Sequence, residues 1–70
     1  DNGVEITDSG LFTIEDNRIR FNGSDGIDIA DSAAFLIDNN DINGNDDNGI
    51  DIHNASLFSV TNNLIRNSGK

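Results

Sequence analysis

A 23-residue period runs through this chain and limits its possible folds more than any other feature. Gly3, Gly26 and Gly49 are separated by that step, and so are Val4, Ile27 and Ile50, and Ile6, Ile29 and Ile52. Phe12, Phe35 and Phe58 follow it, as do Ile14, Ile37 and Val60, and Ile19, Ile42 and Ile65. Asn17, Asn40 and Asn63 form a polar column in the same register, with no insertion between copies. A constant period in this range marks a solenoid, in which each repeat buries its apolar face only against its neighbours. The 70 residues therefore form a single unit of three coils, about 1–23, 24–46 and 47–70.

Within each copy the apolar residues alternate rather than follow a helical stripe. In the first copy, Val4 and Ile6 flank Glu5, Phe12 and Ile14 flank Thr13, and a third short piece centres on Ile19. Asp, Asn, Gly and Ser separate these β-branched and aromatic stretches, as turn residues separate strands. Three strands per coil, each pairing in parallel with its counterpart about 4.8 Å away, predict an all-β parallel solenoid. A leucine-rich repeat would need a Leu-rich consensus and a helical segment per copy, whereas here Ile dominates. The calcium-binding nonapeptide roll would need Gly-Gly-x-Gly-x-Asp, which is absent.

The Gly column, preceded by Asn2, Asp25 and Asn48, is read as a turn requiring positive φ. Asn17, Asn40 and Asn63 are read as a tight turn between the second and third strands. Asn tolerates left-handed geometry there, and its stacked side chains can hydrogen-bond as an internal ladder. The pattern G-[VI]-[ED]-I followed by F-x-[IV]-x-x-N-x-I resembles the parallel β-helix repeat of pectate-lyase-like proteins. That superfamily includes polysaccharide lyases, mannuronan epimerases, NosD-type periplasmic proteins and phage or surface β-helices. The resemblance spans essentially the whole chain and implies a right-handed coil. It rests on core and turn positions, so it assigns a fold and no activity.

Composition narrows the partners. Thirteen acids against four bases give a net charge of −9, which argues against nucleic acid and anionic membrane. No apolar run reaches the length of a membrane span. There is no cysteine, so disulfides and thiolate zinc sites are excluded, and a single histidine cannot build a multi-histidine site. Cations, polysaccharide and further copies of the chain remain as partners, and a secreted or cell-surface location is expected. The chain starts on Asp rather than Met, and a processed chain or an excerpt is expected.

The outward columns hold the candidate chemistry. Glu5, Asp28 and Asp51 stack in one slot of the first strand, with Asp8, Asp31 and Asn54 beside them and Asp1, Ser24 and Asp47 ahead of the Gly turn. Hard oxygen donors at this density suit Ca²⁺, for which Glu5, Asp28, Asp51, Asp8 and Asp31 are the candidate ligands. The alternative is a hydrated acidic face that keeps the solenoid soluble. No other cofactor is expected.

A lyase or epimerase would need a base and a cation, for which His53 beside Asp51 or an arginine are the candidates. His53 shares its column with Thr7 and Ala30 and is read as an ordinary surface residue. Arg20 and Arg66 share a column in the third strand, and Arg18 faces Asp41 as an expected cross-coil ion pair. The phenylalanines alternate inward and are read as core, while Leu36 and Leu64 are read as isolated exposed residues. No catalytic residue is assigned, and the chain is expected not to be an enzyme.

Solenoid ends normally carry distinct caps. Here both ends fall within the repeat phase, which predicts stacking on further coils. The expected role is a rigid acidic rod, either a filament subunit or part of a longer secreted β-helix. The alternative is an excerpt of a carbohydrate-active or carbohydrate-binding β-helix.

Overall fold

Three short strands per coil, repeated three times, build the chain. The computed structural model describes residues 2–67 and 69. The first coil contributes β1 (Val4–Thr7), β2 (Thr13–Glu15) and β3 (Arg18–Arg20). The second contributes β4 (Ile27–Ala30), β5 (Leu36–Asp38) and β6 (Asp41–Asn43), and the third β7 (Ile50–His53), β8 (Ser59–Thr61) and β9 (Leu64–Arg66). No helix occurs among the described residues.

Every strand pairs in parallel with its equivalent one coil away, giving three sheets ordered β1-β4-β7, β2-β5-β8 and β3-β6-β9. The register is the sequence period itself: Val4 pairs with Ile27 and Ile27 with Ile50, while Ile14 pairs with Ile37 and Ile37 with Val60. Like therefore stacks on like. Ile14, Ile19, Ile27, Ile29, Phe35, Ile37 and Ile42 are the buried apolar residues, five of the seven from the second coil. Phe12, Phe35 and Phe58 lie ring on ring with centroids 4.8 and 4.9 Å apart and planes within 5° and 3° of parallel. Leu64 is exposed as expected, but Leu36 is half-buried.

Four left-handed corners turn each coil. Asp8, Asp31 and Asn54 form one column of them, and Leu11, Ala34 and Leu57 the next. Asp16, Asn39 and Asn62 form the third, then Phe21, Gly44 and Asn67, all with φ between 50° and 72°. This corrects the reading of Asn17, Asn40 and Asn63, since the left-handed residue is the one before each of them. The polar corners suit Asp and Asn, whose short side chains tolerate this geometry. Nothing in the structure explains Leu at positions 11 and 57.

The glycine column is also corrected. Gly3 and Gly26 are not among the residues with positive φ; they are glycines because the coil closes on itself there. A Cβ on Gly26 would lie 2.6 Å from the Gly49 carbonyl oxygen and 2.7 Å from Ile42 Cγ2. A Cβ on Gly3 would meet Gly26 O and Ile19 Cγ2 at 2.8 and 2.6 Å. Gly49 continues the column as a buried residue.

Amide side chains close the remaining backbone gaps. Asn40 is buried; its Oδ1 accepts from Asn17 N–H at 3.0 Å, and its Nδ2 donates to Asn63 Oδ1 at 2.9 Å and to the Ile14 carbonyl at 3.1 Å. Asn63 in turn donates to the Ile37 carbonyl. A second ladder, absent from the sequence reading, joins Asn22 to Asn45: Asn45 Oδ1 accepts from both Asn22 N–H and Asn22 Nδ2. The step from Asn22 to Asn45 is again 23, which is the signal that would have found it.

Replacing Asn40 by Leu strands the Asn17 N–H and the Ile14 carbonyl, each costing about 1–3 kcal/mol when buried without a partner. Asn40→Leu is therefore expected to destabilise far more than Asp51→Ser, as measured by urea unfolding. Leu57 is 84% exposed and left-handed, so Leu57→Asn should lose little packing. It should raise stability by about 0.5–1 kcal/mol on relief of backbone strain, read in the same assay.

Candidate functional site

Strand alternation places Ile27, Ile29, Ile50 and Ile52 inward and Asp28, Asp51 and His53 outward on the β1-β4-β7 sheet. Glu5 pairs with Asp28 and Asp28 with Asp51, so the three carboxylates form a single column. Their environments differ. Glu5 Oε1, on the first coil, accepts from Asn2 Nδ2 at 2.9 Å. Asp28 is held between coils on both sides, with a side chain only 24% exposed. Its Oδ2 accepts a long 3.4 Å bond from Asn2, but its Oδ1 is closed off from solvent and meets no donor among the described residues.

Burial pushes the Asp28 carboxyl above its ordinary value of 3.8, helped by the negative charges of Asp51, Asp25 and Glu5 and opposed by His53. A carboxyl raised on folding binds more protons in the folded chain than in the unfolded one. Its favourable contribution is present below the unfolded value near 3.8 and is lost as pH rises through the higher folded value.

His53 is an exposed residue whose ring lies beside this column. Its Nδ1 is 3.6 Å from Asp51 Oδ1 and 4.0 Å from Asp28 Oδ1. The register explains the approach. Asp51 and His53 are two apart on one strand and share a face, while Ala30 is the register partner of His53 and presents only a methyl group toward it. The sequence showed Asp51-x-His53 but not that the imidazole would reach back to Asp28.

The proposed calcium set separates in the structure. Among the described residues, the group of donors close enough to hold one cation is Asp28, Asp51 and His53, with facing atoms within 4.8 Å of one another. Glu5 is not part of it. Asp8 and Asp31 sit at the corner after the strand, where Asp31 Oδ1 accepts from Asn54 Nδ2. Asp1, the head of the column completed by Ser24 and Asp47, lies outside the described residues.

The expected Arg18–Asp41 pair is replaced. Arg18 is the register partner of Asp41, yet the Asp41 carboxylate takes Arg66 Nη2 at 3.2 and 3.3 Å, on a diagonal from the next coil. Exposed on both sides, this pair contributes about 0–1 kcal/mol. On the neighbouring face a shallow groove is lined by Asp16, Asn17, Arg18, Asn39, Asp41 and Asn62, among others. Its amides and acids are partly spent on one another, as in the 2.7 Å bond from Asn39 Nδ2 to Asp16 Oδ1.

Residues 2–70 match the family described as the right-handed β-helix region. The chain belongs to the right-handed β-helix family. That match covers nearly the whole chain and sets the hand of the coil. It carries no activity, because the β-helix repeat serves enzymes and non-enzymes alike. No curated protein and no solved structure matches the chain.

The raised Asp28 carboxyl gives a signed prediction. Asp28→Asn should gain stability over the parent β-helix as pH rises through the raised folded value of Asp28. The gain should be absent below about 3.8, where the carboxyl is neutral in both the folded and the unfolded chain. Thermal unfolding of both proteins across that range checks it, and a gain independent of pH would contradict the assignment.

Proposed function

We propose that the chain is a structural segment, a rigid acidic β-helical rod whose coils extend by accepting further coils in register. The observation that carries this reading is the constancy of the coil. All four left-handed corners fall at the same repeat positions in all three copies, so among the described residues no protruding loop builds a groove wall. Support also comes from the third coil, which presents the inward-column residues Phe58, Val60 and Ile65 at 40–45% exposure. Ile14 and Ile19 on the first coil are buried. The two ends thus differ, and a second copy would add head to tail rather than face to face. Such a contact does not close on itself and leads to a filament.

The amide ladder favours the same direction. Asn17 N–H is met by Asn40 Oδ1 and Asn40 N–H by Asn63 Oδ1, so a following coil would meet Asn63 N–H with its own amide. In this reading the chain is not itself a catalyst and works outside the cell, where length and stiffness are the useful properties. Its even acidic surface favours solubility of the sides while the ends associate.

The polar groove beside β3 and β6 favours a second reading, a binding surface for a neutral polysaccharide. The two separate by experiment. Electron microscopy of the 70-residue chain at high concentration should show unbranched filaments with an axial repeat near 4.8 Å. Ile65→Glu, which places a charge on the open end, should prevent elongation. Folded chain that stays monomeric, or chain that does not fold alone, would remove self-assembly and leave these coils as an internal stretch of a longer rod. Filament-free protein retained on a neutral polysaccharide column would favour the second reading.

A further inference from the structure

We propose that Asp28, Asp51 and His53 form a site for one divalent transition-metal ion of the Zn²⁺ class, clamping the second coil to the third. This goes beyond the rod reading and does not depend on it. Three donors of two kinds converge: one oxygen from each carboxylate and the Nδ1 of the imidazole, all within 4.8 Å of one another. The spacings of 3.6 and 4.0 Å from His53 Nδ1 need to shorten only modestly. Donors around a metal bound at about 2.1 Å are separated by roughly 3–3.5 Å.

An independent observation points to a cation at this place. Asp28 Oδ1 is shut away from solvent and has no hydrogen-bond donor among the described residues, although a buried carboxylate oxygen ordinarily has one. It faces Asp51 and His53 rather than a backbone amide. A dication between the two carboxylates would satisfy that oxygen and cancel the repulsion that stacking imposes on the pair. It would also reverse the upward push on the Asp28 carboxyl.

The donor set selects the metal. Ca²⁺ takes six to eight oxygens, whereas this site offers two carboxylates and a nitrogen. Imidazole with carboxylate suits Zn²⁺ and its neighbours, and three protein ligands leave room for water or an incoming group. Among the described residues the site also occurs once. At the equivalent position one coil earlier the residue is Ala30, and before that Thr7, neither of which carries a ring nitrogen. The Glu5–Asp28 step therefore has the carboxylates without the imidazole.

Titration of the chain with ZnCl₂ at neutral pH, followed by calorimetry and by the imidazole nitrogen signals in NMR, tests this directly. One Zn²⁺ per chain is expected, with the shift confined to His53 Nδ1 and the β-signature in circular dichroism unchanged. His53→Ala removes an exposed side chain and should leave the fold intact while weakening binding about tenfold or more. Asp28→Asn should do the same, whereas Glu5→Gln and Asp8→Asn should bind as the parent does. A large excess of Ca²⁺ should not displace the Zn²⁺. The proposal is overturned by parental affinity in His53→Ala, by equal loss in Glu5→Gln, by displacement at equimolar Ca²⁺, or by no Zn²⁺ binding. Binding by a chain lacking the β-signature would overturn it equally.

Discussion

The in-register parallel ladder of backbone hydrogen bonds governs everything else in this molecule. Each strand bonds to its own equivalent 23 residues away, so every side chain rests on the side chain at the same repeat position. Isoleucine columns, the phenylalanine stack and the asparagine ladders are all products of that single rule. The rule has no exception for charge. It also piles Glu5, Asp28 and Asp51 on one another, and so it builds the core and an acidic column on the surface together.

Where the ladder cannot reach, side chains take over. The coil must turn four times in 23 residues, and at each corner one residue adopts left-handed geometry. Three of these columns hold Asp or Asn in at least one copy, whose side chains bond across coils, as Asn39 does to Asp16. Amide side chains serve the backbone groups that the turns leave open, buried Asn40 to Ile14 and half-buried Asn63 to Ile37. Gly44 shows the tightness from another side, since a Cβ there would press 2.7 Å from the ring of Phe21 in the coil before.

The acidic column connects the structural and the chemical readings. A uniform rod needs only that its carboxylates be hydrated, as Glu5 and Asp51 can be at the flanks of the sheet. Asp28 is different because a coil lies on either side of it and its Oδ1 is sealed. His53 follows Thr7 and Ala30 in its column and stands next to that one carboxylate. A metal ion held there would link the second coil to the third at a single point along the solenoid.

Much of this was written in the sequence. The period fixed which residues pair, and strand alternation fixed which columns point inward, because a register with no insertion leaves only one way to stack three copies. That placed Phe35 and Ile37 in the core and the carboxylates outside. What the sequence could not settle were the contacts that depend on side-chain reach rather than on column. Asp41 takes Arg66 on the diagonal and not its register partner Arg18, and His53 leans over Ala30 toward Asp28. Gly3 and Gly26 proved to be matters of space rather than of φ, since the neighbours that crowd Gly26 come from Ile42 and Gly49, distant in the chain. Register is a property of the repeat and can be counted along one dimension. The gap that decides whether a Cβ fits, or whether an imidazole meets a carboxylate, exists only once the coils have closed.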